Sequence, residues 1–332
     1  PTVLGDLIME KRGLVLVVGA TGSGKSTTIA SMLDHRNSNR SGHILTVEDP
    51  IEFLFRHKKS IVNQREIGMD TLDWTAALKN AMRQAPDCIL IGEIRDKETM
   101  QAAIAYAQTG HMCLATLHAN NSYHALNRII SFFPLENRPA LFLDVSVSLR
   151  AIISQRLTVK QDGKRTPACE VMLNTRHISE LIERGEVSSI KEAMEQTLAP
   201  GSQTFEQDLF RLVRTGKVST DEALANADSA TNLGLLLGNS GIMPAMALGT
   251  VLNGLRQTTA SGRLITVVVP SELVPDVLRG DLQIDDTSSK KGDGFAVDFV
   301  RVLVNPAFTR TGTVTATVRD ARSGGPVAGA TV

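Results

Sequence analysis

A run of glycines, one lysine and hydroxyl side chains near the start of the chain has the composition of a phosphate-binding loop. In VVGATGSGKSTT, Gly19, Gly24, Lys25 and Ser26 fit the pattern G-x-x-x-x-G-K-[ST]. Glycines let backbone N–H groups close around phosphate oxygens, where a Cβ would obstruct them. The lysine can reach the β- and γ-phosphates, and the serine hydroxyl can bind Mg²⁺. The residues that we expect to line this site are Gly19, Ala20, Thr21, Gly22, Ser23, Gly24, Lys25, Ser26 and Thr27.

Three later apolar runs end in polar side chains that could act on a bound phosphate. VEDPIEF contributes Glu52, ILIGEIRD contributes Glu93 and Arg95, and TLHANN contributes His118. Carboxylates beside a nucleotide can hold Mg²⁺ or orient the attacking water. We therefore predict these four residues as catalytic, with Ser26 and Glu93 at the metal. The pattern does not rank the two glutamates, and taken alone these runs also fit a solvated turn and a core histidine.

The same four runs define the elements that must position these side chains. Continuous apolar strands that alternate with helical patterns predict a parallel sheet covered on both faces. In such sheets, ligands bind beyond the carboxyl ends of the strands, where all the polar tips fall. The predicted strands are 14–18, 43–49, 88–94 and 111–119, and the predicted helices between them include 25–34 and 73–84.

Composition limits the classes of partner and the cellular compartment that the sequence allows. The 332 residues carry a net charge of zero, which argues against bulk electrostatic binding to nucleic acid. The three cysteines, Cys88, Cys113 and Cys169, are far apart and surrounded by apolar residues, so we expect small buried side chains and a reducing compartment. The chain begins at Pro1, close to the first strand, and we expect it to be a truncation.

Together, GATGSGKSTT, TVEDPIEF, RQAPDCILIGEIRD and TGHMCLATLHAN resemble the Walker A, Asp-box, Walker B and His-box motifs of the secretion ATPases. The later stretches ISQRLTVKQDGKRTPACEVMLNT and GSQTFEQDLFRLVRTGKVSTDEALANADSATNL resemble the C-terminal domain of the pilus retraction (twitching motility) ATPases of the PilT/PilU type. The resemblance runs from about Leu4 to Leu233. Gly92 stands where the usual Walker B aspartate would be, and a glycine at this position is also typical of this family.

Two departures refine the resemblance. The chain lacks the four-cysteine insertion of extension and secretion ATPases, so it resembles the retraction branch. After Asn174 and Thr175 it has His177, Ile178 and Ser179 instead of an AIR-type motif, which resembles the accessory, PilU-like form. The N-terminal PAS-like domain of the family, which lends arginines to the active site, is not in this sequence.

The resemblance implies a RecA-like core and an ATPase motor for pilus retraction that uses ATP and Mg²⁺. It further implies a homo-hexamer, or a mixed ring with a related retraction ATPase, and an inner-membrane pilus platform protein as partner, with no nucleic acid partner. The location implied is cytoplasmic, peripheral at the inner face of the bacterial inner membrane. The candidates to reach phosphate from a neighbouring subunit are Arg83, Arg95, Arg150 and Arg156.

We predict four parts: a core over 1–150, a small helical domain over 151–233, an uncharged linker over 234–260 and a β-rich tail over 261–332. The linker is long enough to cross a bilayer, but its glycines, proline and asparagines favour a linker. The pattern of the tail indicates an incomplete antiparallel sandwich or a misjoined reading frame, and we expect the tail to be dispensable for nucleotide binding.

Two other classes of function stay open from the sequence. A P-loop kinase acting on a small substrate would need an acceptor pocket and a lid, whereas this sequence offers a His box and a small helical domain. A nucleotide-binding accessory or regulatory subunit with little turnover fits the missing N-terminal domain. Glu52, Glu93 and His118 favour turnover over that alternative.

Overall fold

The computed structural model describes residues 1–197 and 199–239. The chain divides into two compact units, Pro1–Asp228 and Ser229–Val332. The strands of the first unit are β1 (Gly13–Val18), β2 (Gly42–Glu48), β3 (Ser60–Glu66), β4 (Cys88–Ile91), β5 (Met112–Leu117), β6 (Leu149–Val159) and β7 (Arg165–Leu173). Its helices are α1 (Val3–Met9), α2 (Lys25–Asn39), α3 (Trp74–Ala81), α4 (Lys97–Gln108), α5 (Ser122–Ser131), α6 (Arg138–Ser148), α7 (Arg176–Glu183), α8 (Ile190–Gln196), α9 (Phe205–Arg214) and α10 (Thr220–Asn226).

The seven strands form one sheet in the order β3-β2-β4-β5-β1-β6-β7. All neighbouring pairs are parallel except β6 and β7, which are antiparallel. The predicted α/β fold with a parallel sheet is confirmed, and the four predicted strands correspond to β1, β2, β4 and β5. These four lie side by side, so their carboxyl ends meet at one edge of the sheet.

Helices cover both faces of the sheet, as the continuously apolar strands predict. On β1, Leu14, Leu16 and Val18 face a core shared with α3 to α8, whereas Val15 and Val17 face α1 and α2. Every residue of β1 and β5 is buried. This burial fixes the strands that carry the polar tips and leaves only their ends open to solvent.

Strand β6 crosses the predicted domain boundary at residue 150. It pairs with β1 through Ala151, Ile152 and Ile153, which are fully buried, so it is a central strand of the same sheet. The helices of the predicted small domain, α7 to α10, follow the β6–β7 hairpin, which the sequence did not indicate. In the structure, residues on both sides of position 150 therefore belong to one compact unit.

The second unit is described only at its start, where α11 (Ala230–Asn239) runs through the predicted boundary at residue 233. The rest of the predicted linker and the predicted β-rich tail lie outside the described residues. Within the described part of the chain, no helix is long and apolar enough to cross a membrane.

The cysteines are buried, as predicted. Cys88 and Cys113 are fully inaccessible and Cys169 is nearly so. Burial raises the pKa of the Cys88 and Cys169 thiols to about 11. These thiols are therefore protonated packing groups at neutral pH.

Candidate nucleotide site

The predicted phosphate-binding loop connects β1 to α2. Gly19, Gly22 and Gly24 all have positive φ angles, of 156°, 76° and 89°. At Gly24, which precedes α2, the backbone is left-handed, a conformation that glycine adopts without a steric penalty. The loop thus turns sharply from a buried strand into the N-terminus of a fifteen-residue helix, where backbone N–H groups and the helix dipole favour an anion.

Lys25 closes this loop on itself. Its Nζ donates to the carbonyl oxygens of Gly19 and Ala20, at 2.8 and 2.9 Å. Burial lowers the pKa of Lys25, while the charges of Glu93 and Glu52 act in the opposite direction. The lysine therefore lies within electrostatic reach of both predicted glutamates. An incoming phosphate can compete for its ammonium group, because the present acceptors are neutral carbonyl oxygens.

Glu93 is the centre of a cluster beyond the end of β4. Its Oε2 accepts a hydrogen bond of 2.7 Å from Arg95 Nε, and its Oε1 lies 3.4 Å from His118 Nε2. Arg95 also approaches Asp49, at 3.5 Å. Glu93 is the most buried of these groups, with 22% of its side chain exposed, whereas His118 and Arg95 are about half exposed. The structure therefore brings three of the four predicted catalytic residues into direct contact.

The fourth, Glu52, lies in the exposed segment that follows β2. Its backbone N–H donates to the Glu48 carboxylate, which also accepts hydrogen bonds from Thr46 and Gln64. Burial raises the pKa of Glu48. Glu48 thus serves to fix the turn, and the Glu52 side chain is the more exposed of the two.

The backbone around Gly92 disfavours the aspartate of the usual Walker B motif at this position. A Cβ at this position would lie 3.0 Å from Val47 O and 3.1 Å from Glu48 Cα. The Gly92 N–H donates to Val47 O at 2.8 Å, and its carbonyl oxygen accepts from the Thr116 hydroxyl. The chain passes so close to β2 that a side chain would have to displace the β2 backbone by a few tenths of an ångström, and the carboxylate comes one residue later, at Glu93.

Gln155 of β6, which the sequence did not single out, supports the loop through two hydrogen bonds. Its Nε2 donates to Ser23 O at 2.8 Å, and its Oε1 accepts from the Thr28 hydroxyl at 2.7 Å. A Cβ on Gly24 would lie 2.8 Å from this Nε2, and one on Gly19 would lie 2.4 Å from the Gln155 carbonyl oxygen. Packing against β6 therefore requires glycine at two positions of the loop.

The site has the features that a magnesium nucleotide needs. Ser26 lies in the first turn of α2 and is half-buried, while Thr21, Gly22 and Thr27 are exposed on the outside of the loop. Within the described ranges, no three His, Cys, Asp or Glu side chains are grouped so that they could hold a metal by themselves. This arrangement fits Mg²⁺ held through one hydroxyl and phosphate oxygens, with a carboxylate nearby.

Three of the four predicted interface arginines, Arg95 among them, form ion pairs within the chain, and they differ in exposure. Arg150 pairs with Glu10 at 3.0 Å, and Arg156 pairs with Asp228 at 2.6 Å, so both are engaged within the chain. Arg83 is exposed just after α3. Arg83 and Arg95 are thus the more accessible of the four.

The fold and the loop define the class: a RecA-like P-loop protein with its nucleotide site at the carboxyl edge of a mostly parallel sheet. The chain belongs to the family described as Type II/IV secretion system protein, whose model matches residues 2–225. This finding and the relatives below confirm the resemblance to the PilT/PilU-type ATPases.

The chain is 48% identical over 256 residues to the type IV pilus ATPase PilU of Pseudomonas aeruginosa, covering 77% of this chain and 67% of that protein. It is 43% identical over 221 residues to the pilus retractation ATPase PilT of the same organism, covering 67% and 64%. A crystal structure of the pilus retraction motor PilT with bound ADP is 42% identical, with a TM-score of 0.65, covering 69% of this chain and 65% of that one. The chain thus spans about two thirds of these relatives.

Proposed function

We propose that this chain binds ATP with Mg²⁺ at residues 19–27 and hydrolyses it, as a subunit of the motor that retracts type IV pili. One observation carries the proposal: Lys25 lies at the same edge of the sheet as Glu93 and Glu52, close enough for both charges to act on it. A phosphate-binding cation beside two carboxylates is the arrangement that phosphoryl transfer to water requires.

Each residue has a distinct task in this proposal. The bound nucleotide supplies a terminal phosphoryl group whose transfer to water is strongly favourable. Lys25 leaves its two loop carbonyls and neutralises phosphate charge, and Ser26 provides a hydroxyl for the metal. Glu93 orients a water and accepts its proton, while Arg95 and His118 hold the Glu93 carboxylate in place.

The names of the relatives support the biological role. The matched proteins are named as type IV pilus ATPase, as pilus retractation ATPase and, in Neisseria gonorrhoeae, as a twitching motility protein. We propose that the chain acts in a hexameric ring in the cytoplasm, against a platform protein of the inner membrane. We propose Leu54, Met69 and Leu72 as contacts in this assembly; these large apolar side chains are more than four-fifths exposed on the first unit.

A second candidate is an accessory subunit that binds nucleotide but turns over little by itself, in a ring shared with a related ATPase. The observation that favours it is the higher identity to PilU, at 48%, than to PilT, at 43%. The two candidates differ in the rate of phosphate release by this chain alone.

The test measures ATP binding and phosphate release on the full chain and on matched variants. Lys25→Ala is expected to abolish nucleotide binding without unfolding the first unit, whereas Lys58→Ala, which removes a surface pair with Asp34, leaves binding unchanged. Glu93→Gln is expected to bind nucleotide but to lose about a hundredfold or more in turnover, the usual size of a general-base contribution.

Glu52→Gln is expected to lower turnover as well, and Glu180→Gln, which alters an exposed pair with Arg176, serves as its control. Parental turnover in both Glu93→Gln and Glu52→Gln would show that neither carboxylate faces the γ-phosphate. Nucleotide binding with negligible turnover by the unchanged chain would favour the accessory role.

A further inference from the structure

Arg156 of β6 joins two segments that are far apart in the chain. Its guanidinium donates to Asn226 O at 2.6 Å and to Asn120 O at 3.3 Å, and it pairs with Asp228 at 2.6 Å. It also stacks on the Phe205 ring, 3.7 Å from the centroid. Less than a quarter of the side chain is exposed, so this arginine is held in place by its partners and is not a mobile surface group.

Asp228 completes the connection from the other side. Its Oδ1 accepts the hydrogen bond from the Arg156 guanidinium, and its Oδ2 accepts a hydrogen bond of 2.9 Å from Asn121 Nδ2. Asn121 is the N-cap of α5 and accepts from the backbone N–H of His124. The next backbone N–H, of Ser122, donates to the buried Glu170 at 2.7 Å. The segment 118–121 is thus anchored firmly at the end where α5 begins.

His118 lies at the other end of this four-residue segment, directly after β5. It is exposed, and its Nε2 reaches Glu93 at 3.4 Å. Packing holds an imidazole that is about half exposed only in part, so the anchored backbone also has to fix where it lies. A displacement of about 1 Å in such a group can change a rate by about a hundredfold.

We infer that Arg156 and Asp228 are positioning residues: they hold segment 118–121 so that His118 stays against Glu93. The inference rests on the proposed function for its kinetic consequence, but not for the placement of His118. Asn226 is the last residue of α10, and Asp228 lies two residues later, at the end of the first unit, so the position of this segment is tied to the nucleotide edge of the sheet. Movement of that segment would change the placement of His118.

Two substitutions test the inference with little change in volume. Arg156→Lys keeps the charge but cannot make the forked contacts and the ring stacking together. Asp228→Asn keeps the shape but weakens the pair. The matched control is Arg211→Lys, which alters an arginine–aspartate pair with Asp208 at 2.7 Å that does not involve segment 118–121.

The first readout needs no turnover. Carbethoxylation of His118 by diethyl pyrocarbonate is followed by peptide mass spectrometry, with His35 as the internal reference. Arg156→Lys and Asp228→Asn are expected to raise the His118 rate about two- to fivefold, because loss of the 3.4 Å contact with Glu93 frees Nε2 for the reagent and such partly exposed contacts are weak. Arg211→Lys leaves the rate unchanged. Unchanged His118 rates in both test variants would overturn the inference.

The second readout is the kinetics of ATP hydrolysis. Both test variants are expected to lower kcat about tenfold or more, with a smaller change in KM, as expected when geometry at the reacting centre is disturbed. In a His118→Ala background the same substitutions change kcat less than about twofold, because the residue they position is gone. Equal effects in the two backgrounds would show that Arg156 and Asp228 act only through general stability.

The two readouts separate failure of the inference from failure of the proposed function. If the unchanged chain shows no turnover but the His118 rate responds as expected, the positioning role stands and the function does not. If the chain hydrolyses ATP and the His118 rate is unaffected in both variants, the function stands and the positioning role is refuted.

Discussion

Gly24→Ala perturbs the phosphate-binding loop in a way whose size can be worked out from two contacts. Gly24 has φ of 89°, and the left-handed region costs an alanine about 1–2 kcal/mol. The new Cβ would also lie 2.8 Å from Gln155 Nε2, so the amide has to move away. It would then lose its bonds to Ser23 and Thr28, each with a net value of about 1 kcal/mol. The total destabilisation is therefore about 3–4 kcal/mol.

Gly22→Ala is the matched control. Gly22 also has a positive φ, of 76°, but no atom lies within 4 Å of the position that its Cβ would take. Gly22→Ala should lose only the stability that the left-handed backbone costs an alanine, about 1–2 kcal/mol. The difference between the two variants, about 2 kcal/mol, measures the contact with Gln155 apart from the strain of the turn.

Urea unfolding without nucleotide, followed by tryptophan fluorescence, is the assay. The chain has one tryptophan, Trp74, which packs against the core of the first unit, so the signal reports on that unit. In a Gln155→Ala background, Gly24→Ala should cost no more than Gly22→Ala, because the obstructing amide is absent. Equal penalties for the two glycines in the parental chain, or strict additivity with Gln155→Ala, would refute this reasoning.

Two further outcomes are expected. Burial raises the pKa of Glu170, so the folded protein binds this proton more tightly than the unfolded chain, and stability falls as pH rises above the ordinary glutamate value. In urea titrations at several pH values, Glu170→Gln should remove up to about 1.4 kcal/mol per pH unit of this dependence of the unfolding free energy. Parallel pH profiles of the variant and the parental chain would show that Glu170 does not cause it. Light scattering of the nucleotide-bound chain should give the mass of a ring, and Leu72→Ser should weaken assembly, since burying a leucine contributes about 1.5–3 kcal/mol. An unchanged degree of assembly in that variant would remove Leu72 from the interface.

The sequence predicted the parts of the site that follow from local pattern and strand order. Lys25 and Ser26 come from a contiguous motif, and Glu93 and His118 come from the rule that parallel strands end at one edge. Both inferences need only short stretches of chain. The continuous apolar runs predict a parallel sheet whose strand ends share one edge, whereas the order that places these four strands side by side comes only from the structure.

Contacts made across the fold were not predictable in the same way. Gln155 supports a loop about 130 residues earlier in the chain, and nothing in its neighbours indicates this. Arg156 was one of four candidates to reach a neighbouring subunit's phosphate, whereas here its guanidinium is engaged with Asp228. The alternating side chains of β6 place Gln155 and Arg156 on opposite faces, so one strand contacts the loop on one side and segment 118–121 on the other. Such roles depend on the pairing of β6 with β1, which the sequence did not reveal.

Gly92 shows how packing decides which residue carries a functional carboxylate. The strand β4 is only four residues long, and the chain leaves it so close to β2 that a Cβ would meet the backbone of Val47 and Glu48. Hydrogen bonds to both neighbouring strands hold this passage in place. An aspartate there would have to displace the backbone of β2 by a few tenths of an ångström. One residue later the chain is clear of β2, and Glu93 reaches both Arg95 and His118. The departure from the usual motif at Gly92 and the placement of Glu93 are thus two consequences of one close approach between strands.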